Sequence, residues 1–281
     1  MKAYKYQAAG NDFILLVPSP EDPAIQPDGI IRMCDRRMGI GSDGLIILET
    51  DDEYDFSMRF YNNDASEGMM CGNGGRCIID LADRLGLRHR HTPDAYIFKA
   101  PDGIHSGRIL SRKGNTSRIH LGMNDVGRIE KIPVGKYDSI SGSAYKMNTG
   151  CEHLVIFKND IRETDITEEG RKWRYDSMFA PKGVNVDFVE ILSPGRARVR
   201  TYEKGVEYET PSCGTGVIAS AIACFADGCG AESYEILTAE NTFKVGFLHE
   251  GGMFTEVYIE GDTELVFTAE YHAGRISWSR S

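Results

Sequence analysis

No stretch of this sequence holds the ~18 consecutive apolar residues that a membrane-spanning helix needs. The N-terminus, Met1-Lys2-Ala3-Tyr4-Lys5-Tyr6, has no apolar core of the kind a secretory signal carries. Nor is there an excess of positive charge: 32 Lys and Arg stand against 42 Asp and Glu, a net charge of −10. A general nucleic-acid or anionic-membrane binder needs a basic surface, so both classes drop out. The seven cysteines show no spacing of a small disulfide framework, and Cys71 and Cys77 have no second close pair to complete a zinc site. Together these absences predict free thiols, a reducing cytoplasmic compartment, and no metal.

What remains is a chain of 281 residues, 41% hydrophobic and 26% charged, which is enough for two modest domains. Its most distinctive feature is a short stretch that occurs twice. Cys71-Gly72-Asn73-Gly74 runs into the apolar segment Ile78 to Leu85, closed by Gly86. Cys213-Gly214-Thr215-Gly216 runs into Val217 to Ala226, closed by Gly228. Each is a cysteine at the N-terminus of a buried helix with a glycine stop. The upstream strands match too: Met58-Arg59-Phe60-Tyr61-Asn62 precedes Cys71, and Val199-Arg200-Thr201-Tyr202-Glu203 precedes Cys213. The Arg-to-Cys spacings are 12 (59 to 71) and 13 (200 to 213). Chance accounts easily for one short motif and less easily for the matched strands, so the chain reads as a duplicated unit.

Between these landmarks the pattern is mainly strand. Residues 3–17 alternate loosely and end in Phe13-Ile14-Leu15-Leu16-Val17 after a turn at Gly10-Asn11-Asp12. Pro18 to Pro27 reads as a loop and residues 30–34 as a short helix. Asp102-Gly103 and Gly114-Asn115 mark hairpins between 95 and 121. The irregular, glycine-rich stretch 122–144 is the candidate domain crossing. The order then repeats: a strand around His153–Phe157, a polar helix over 167–175, strands over 184–192 and 197–202, the second cysteine helix, and strands over 234–268.

A thiol at a helix N-terminus meets unpaired N–H groups and the positive end of the helix dipole, which lowers its pKa from ~8.5 toward the range of reactive cysteines. The flanking glycines let backbone N–H groups approach a bound anion such as a carboxylate. One such site suggests a nucleophile or a redox centre. Two, in related halves, suggest opposed proton transfers that invert a carbon centre, with the helix termini stabilising charge on the substrate carboxylate. Cys34, Cys224 and Cys229 lack this context and read as small buried hydrophobes.

The sequence resembles the diaminopimelate epimerase family along nearly its whole length. The resemblance rests on Gly10-Asn11-Asp12-Phe13, the glycine loop 39–44, the block 60–67 leading to Met70-Cys71-Gly72-Asn73-Gly74, and Asn148-Thr149-Gly150 with His153. It continues with Gly183-Val184-Asn185-Val186, then Glu203-Lys204-Gly205-Val206 and Glu209-Thr210 before Cys213-Gly214-Thr215-Gly216. It implies a cofactor-independent isomerase of lysine and peptidoglycan precursor synthesis. The implied fold is α+β, two pseudo-symmetric domains (1–117 completed by 265–281, and 118–264). Each is a mostly antiparallel sheet or barrel around a central helix, with the active site in the cleft between them. It implies an acid/base pair, Cys71 and Cys213, with His153 and Glu203 near the reacting centre. It implies that Gly72, Asn73, Gly214 and Thr215 hold the α-carboxylate, that Asn11, Asn62 and Asn185 orient the substrate, and that Lys204 reads its distal carboxylate. It implies a small amino-acid substrate and a homodimer.

Three positions depart from the family pattern. Lys204 stands where an arginine is usual and keeps the charge without the two-pronged geometry. Cys151-Glu152 replaces the usual Asn-Pro, and Gly44 replaces a glutamine. The first two bear on the distal end of the substrate. Two other readings stay open on the residues: a racemase or epimerase of the proline or hydroxyproline kind, and a thiol redox or binding protein.

Overall fold

In a computed structural model the described residues are 1–133, 142–231, 233–272 and 275–279. They fall into two compact units, Met1–Gly122 with Gly261–Ser281, and Met123–Glu260. Residues 134–141 of the expected crossing 122–144 lie outside the described residues.

The first unit opens with a hairpin of β1 (Lys2–Ala8) and β2 (Asn11–Leu16), Ala8 opposite Asn11. Its two-residue turn is Ala9-Gly10 rather than 10–12, and both residues have positive φ, 56° and 81°, as a twist-compatible tight turn requires. Helix α1 (Pro27–Cys34) begins earlier than residue 30, because a proline suits the first helical turn where its missing N–H costs nothing. Then β3 (Gly44–Glu49) pairs parallel with β2, and β4 (Phe56–Asn62) pairs antiparallel with β3. Helix α2 (Gly72–Arg84) leads to β5 (Tyr96–Ala100), parallel to β4, and to the meander β6 (Gly103–Lys113) and β7 (Thr116–Gly122).

The second unit repeats the plan. It comprises β8 (Glu130–Ile132), β9 (Ala144–Asn148), β10 (Glu152–Phe157), α3 (Ile166–Arg174), β11 (Asn185–Ser193) and β12 (Arg196–Glu203). After them come the short β13 (Tyr208–Thr210), α4 (Gly214–Ala226), β14 (Ser233–Leu237), β15 (Thr242–Glu250) and the start of β16 (Met253–His272), whose residues from Gly261 onward belong with β17 (Arg275–Ser279) to the first unit. Beyond the extra strand β8 the pairing is the same: β10 and β11, like β2 and β3, are parallel, β11 and β12 are antiparallel, and the strand after the cysteine helix (β14) returns parallel to β12. β16 pairs with β15 up to Glu260 and with β7 from Gly261, then with β1, which closes the first unit's ring of strands.

The two cysteine helices are enclosed by the strands of their own units. Every residue of α2 from Gly72 to Ala82 is buried, and so is every residue of α4 from Gly216 to Cys224. A helix buried on all sides must be enclosed rather than docked. Both end alike. In α2, Gly86 (φ 70°) donates to the Asp83 carbonyl and Leu87 to Ala82; in α4, Gly228 (φ 94°) donates to Phe225 and Cys229 to Cys224. This is the double hydrogen bond of a glycine-terminated helix, for which only glycine takes the left-handed position without strain. The buried carboxylate of α2, Asp80, is satisfied by Tyr6, Arg84, Arg112 and Ser117.

Candidate active site

The register equates the halves residue by residue. Phe13 lies opposite Gly44 and Gly44 opposite Asn62. His153 lies opposite Asn185, and continuing the Val186–Tyr202 register one step sets Asn185 beside Glu203. Thus Phe13 corresponds to His153, Gly44 to Asn185, Ile46 to Asp187, Phe60 to Thr201 and Asn62 to Glu203. The expected site residues therefore collect at one end of each unit, where these strands meet the cysteine helix.

In the first unit Cys71 is the residue preceding α2, in extended conformation (φ −105°, ψ 122°), and its side chain does not cap the helix. The first N–H groups of an α-helix have no acceptor within it, so those of Gly72 and Asn73 are turned outward beside the sulfur. The Cys71 thiol lies 3.7 Å from Asn11 Oδ1. Buried Arg76, one turn along, donates to the Gly72 carbonyl (3.1 Å) and to Asn73 Oδ1 (2.7 Å). Asn73 Nδ2 is thereby turned to Asn11 Oδ1 at 3.5 Å, while Asn11 Nδ2 donates to Asp43 (2.7 Å). Asn62 ends β4 and donates from Nδ2 to the Ser66 hydroxyl. Sequence reasoning named Asn11 and Asn73 and missed Arg76 and Asp43, which fix their amide orientation.

Gly44 has a steric explanation. A Cβ built there would sit 2.5 Å from the Phe60 ring and 2.8 Å from the Tyr61 carbonyl, and a Cβ on Gly68 would sit 2.3 Å from the same ring. Phe60 thus occupies the space a glutamine would need. Gly44→Gln is expected to lower stability by about 1–3 kcal/mol through overpacking. Urea denaturation measures this; an unchanged midpoint would show that the ring yields.

In the second unit Cys213 precedes α4 in the same way (φ −118°, ψ 110°) and is almost fully buried. Its sulfur lies 3.4 Å from the Thr215 hydroxyl, which is 2.9 Å from His153 Nε2. His153 Nδ1 meets Asp187 Oδ2 at 2.6 Å, and the Thr201 hydroxyl donates to Asp187 Oδ1 at 2.7 Å. Asn185 Oδ1 accepts from the Lys204 backbone N–H (2.8 Å), and Glu203 accepts from the Thr210 hydroxyl (2.8 Å). Gly214 supplies the first residue of α4. His153, Asn185, Glu203, Lys204, Gly214 and Thr215 are thus brought together around Cys213. Asp187 and Thr201 were not anticipated; the only signal was an acidic residue in an otherwise apolar strand.

The expectation of a lowered thiol pKa does not hold for Cys213. Burial pushes it well above the usual thiol value, and the charges of Glu203 and Asp187 push the same way, against hydrogen bonds from Thr215 and the Gly216 N–H. Desolvation and cross-strand carboxylates, invisible in linear sequence, outweigh the helix terminus. With Cys71 replaced by alanine, alkylation of Cys213 by iodoacetamide is therefore expected to keep climbing as pH rises through 9. A plateau below pH 8 would contradict this environment. Among the described residues no group of three or more His, Cys, Asp or Glu is placed to hold a metal ion, and no helix is long and apolar enough to cross a membrane.

The family model for diaminopimelate epimerase matches residues 3–105 and 145–266. This chain belongs to the diaminopimelate epimerase family. A diaminopimelate epimerase of Flavobacterium psychrophilum is 38% identical over 274 residues, 95% of this chain and 98% of that one. One of Chlorobaculum tepidum is 34% identical, covering 92% and 96%. Among solved structures, a probable proline racemase from Agrobacterium radiobacter is similar with a TM-score of 0.68 at 15% identity, covering 96% of this chain and 92% of that one. That likeness is one of fold: two-domain α+β, as expected. The isomerase class follows from the family. The repeated cysteine helices are a feature of a diaminopimelate epimerase family member, and the departures at Gly44, Cys151 and Lys204 lie within it.

Proposed function

We propose that this chain interconverts LL- and meso-2,6-diaminopimelate by moving a proton at one α-carbon between two thiols, Cys71 from the first unit and Cys213 from the second. The observation that carries this is the repetition itself: each unit encloses a helix headed by a cysteine in extended conformation, with the first N–H groups of the helix beside the sulfur. A thiolate takes the α-proton; the carbanion's charge spreads into the substrate carboxylate, held by N–H groups at Gly72-Asn73 and Gly214-Thr215. The other thiol returns a proton from the opposite face. The product leaves the two sulfurs with their protonation states exchanged, so no cofactor is needed. The curated relatives' names support the substrate, and the sequence blocks shared with the family support the residue roles.

In this reading His153 and Glu203 flank the reacting centre, Asn11, Asn62 and Asn185 orient the substrate, and Lys204 attracts the distal carboxylate as a point charge. The reaction takes place in the cytoplasm, on a homodimer. Light scattering of the purified chain tests the assembly against a mass of twice 31.2 kDa. The substrate is tested by incubating the enzyme with LL-diaminopimelate, L-proline and trans-4-hydroxy-L-proline, followed by chiral chromatography. Inversion of diaminopimelate alone is expected; inversion of either imino acid without it would assign a different substrate.

A further inference from the structure

The same three strand positions surround the first-turn glycine of the cysteine helix in both units, but they are filled by opposite chemistry. In the first unit Gly74 of α2 packs on Ile46, with Phe13 and Phe60 in edge-to-face contact nearby at 6.0 Å. In the second, Gly216 of α4 packs on Asp187 and Thr201, with His153 in the place of Phe13. His153 and Asp187 are both fully buried. The fold can evidently fill this place with hydrocarbon, and burying a carboxylate and an imidazole costs several kcal/mol unless their partners repay it. The polar set calls for a role in the chemistry of Cys213.

The hydrogen bonds have one consistent direction. The Lys204 backbone N–H fixes Asn185 Oδ1, which turns Asn185 Nδ2 toward the Glu152 carbonyl (3.5 Å) and His153 Nε2 (3.4 Å). An amide N–H facing Nε2 requires a lone pair there, so the imidazole proton is on Nδ1 and is donated to Asp187. Nε2 then also accepts from the Thr215 hydroxyl, whose oxygen is left to accept from the Cys213 S–H.

We propose that Asp187 is a positioning residue for the proposed epimerase reaction: by holding His153 in the Nδ1–H tautomer it directs the chain Cys213 S–H to Thr215 O–H to His153 Nε2, and so keeps Cys213 a proton-bearing thiol. The inference rests on the two-thiol reading above. When Cys213 has given up its proton, the Thr215 hydroxyl need only rotate to donate to the sulfur, while Asn185 keeps Nε2 satisfied; no bond to carbon or nitrogen is made or broken in that step. The opposite tautomer, with its proton on Nε2, would donate to Thr215 and force its hydroxyl permanently toward the sulfur, favouring thiolate. The charged groups facing Cys213 are Asp187 of β11 and Glu203 of β12, and His153 of β10 reaches it through Thr215. Neutralising Asp187 removes one of these negative charges and releases the tautomer, and both effects act in the same direction.

The test uses the full-length chain. Nitrogen-15 NMR of labelled wild-type enzyme near neutral pH is expected to show His153 with a protonated Nδ1 and a bare Nε2. Asp187→Asn offers one carbonyl oxygen to two donors, so this pattern should mix or invert. In the Cys71→Ala background, Asp187→Asn should move the pH midpoint of Cys213 alkylation down by about one unit, roughly tenfold faster alkylation at a fixed pH below it. In the otherwise wild-type enzyme it should lower kcat on the order of 10²-fold, the lower end of what a positioned acid or base contributes. A wild-type His153 protonated on Nε2 overturns the proposal, whether or not the variant folds. So does a folded Asp187→Asn variant whose alkylation midpoint and tautomer match wild type, even if its turnover falls. Neither spectrum nor alkylation requires turnover, so these outcomes are distinct from a wild-type chain that fails to epimerise diaminopimelate.

Discussion

Cys71→Ala and Cys213→Ala are each expected to reduce epimerisation by on the order of 10³-fold, within the range for loss of a positioned acid or base. Alanine can neither take nor give a proton, and inversion needs one group on each face of the α-carbon. The single variants should retain slow exchange of the α-proton with solvent on the face served by the remaining thiol, so hydrogen exchange and inversion become uncoupled. Serine should not rescue either position, because an alkoxide is far harder to form than a thiolate. Cys71 makes no side-chain cap to its helix, and a sulfur is only a weak acceptor for the Gly216 N–H beside Cys213, so thermal unfolding should change little. Chiral chromatography with proton NMR in deuterated water separates the two activities. Inversion within tenfold of wild type in either variant would remove that cysteine from the reaction.

Arg76→Met is expected to cost about 2–4 kcal/mol of stability and to lower activity as well. The guanidinium is fully buried in α2, where burial lowers its pKa, and it donates to the Gly72 carbonyl and Asn73 Oδ1. Methionine fills much of the volume but leaves both acceptors without these donors, and a hydrogen bond to a charged group contributes about 1.5–3 kcal/mol. Asn73 is then free to rotate, and with it the amide chain through Asn11 that faces the Cys71 sulfur. Urea denaturation and turnover, measured together, check this. A stability loss below about 0.5 kcal/mol would mean that solvent or a rearranged backbone replaces the guanidinium.

Much of this architecture is legible in the sequence, and the rest is hidden for definite reasons. The buried helices announce themselves through apolar residues bounded by Gly-x-Gly and by Gly86 or Gly228, because an enclosed helix has no solvent-facing side and needs a left-handed stop; Arg76 and Asp80 of α2, buried among hydrogen-bond partners, cut across that pattern. The duplication shows in the Arg-x-Tyr strand ends, and the register confirms it by equating Asn62 with Glu203. Turns such as Gly114-Asn115 follow from local conformational preference. What depends on contacts across strands was not readable. Asp187 and His153 are 34 residues apart and become partners only when β10 and β11 pair in parallel. The thiol of Cys213 was expected to be acidic from its helix, and the sequence gives no hint that Glu203 and Asp187 converge on it. Gly44 reads as an unexplained loss until the Phe60 ring is found in its space.

The central claim is that two different groups serve the two faces of one carbon. It is tested most directly by turning over LL-diaminopimelate in deuterated water, stopping at low conversion, and measuring deuterium at the α-carbons of product and recovered substrate. Meso product carrying one deuterium at the inverted centre is expected, with the remaining LL substrate still protonated. Deuterium entering the recovered LL substrate as fast as the product would mean that a single group removes and returns the proton, and would contradict the account.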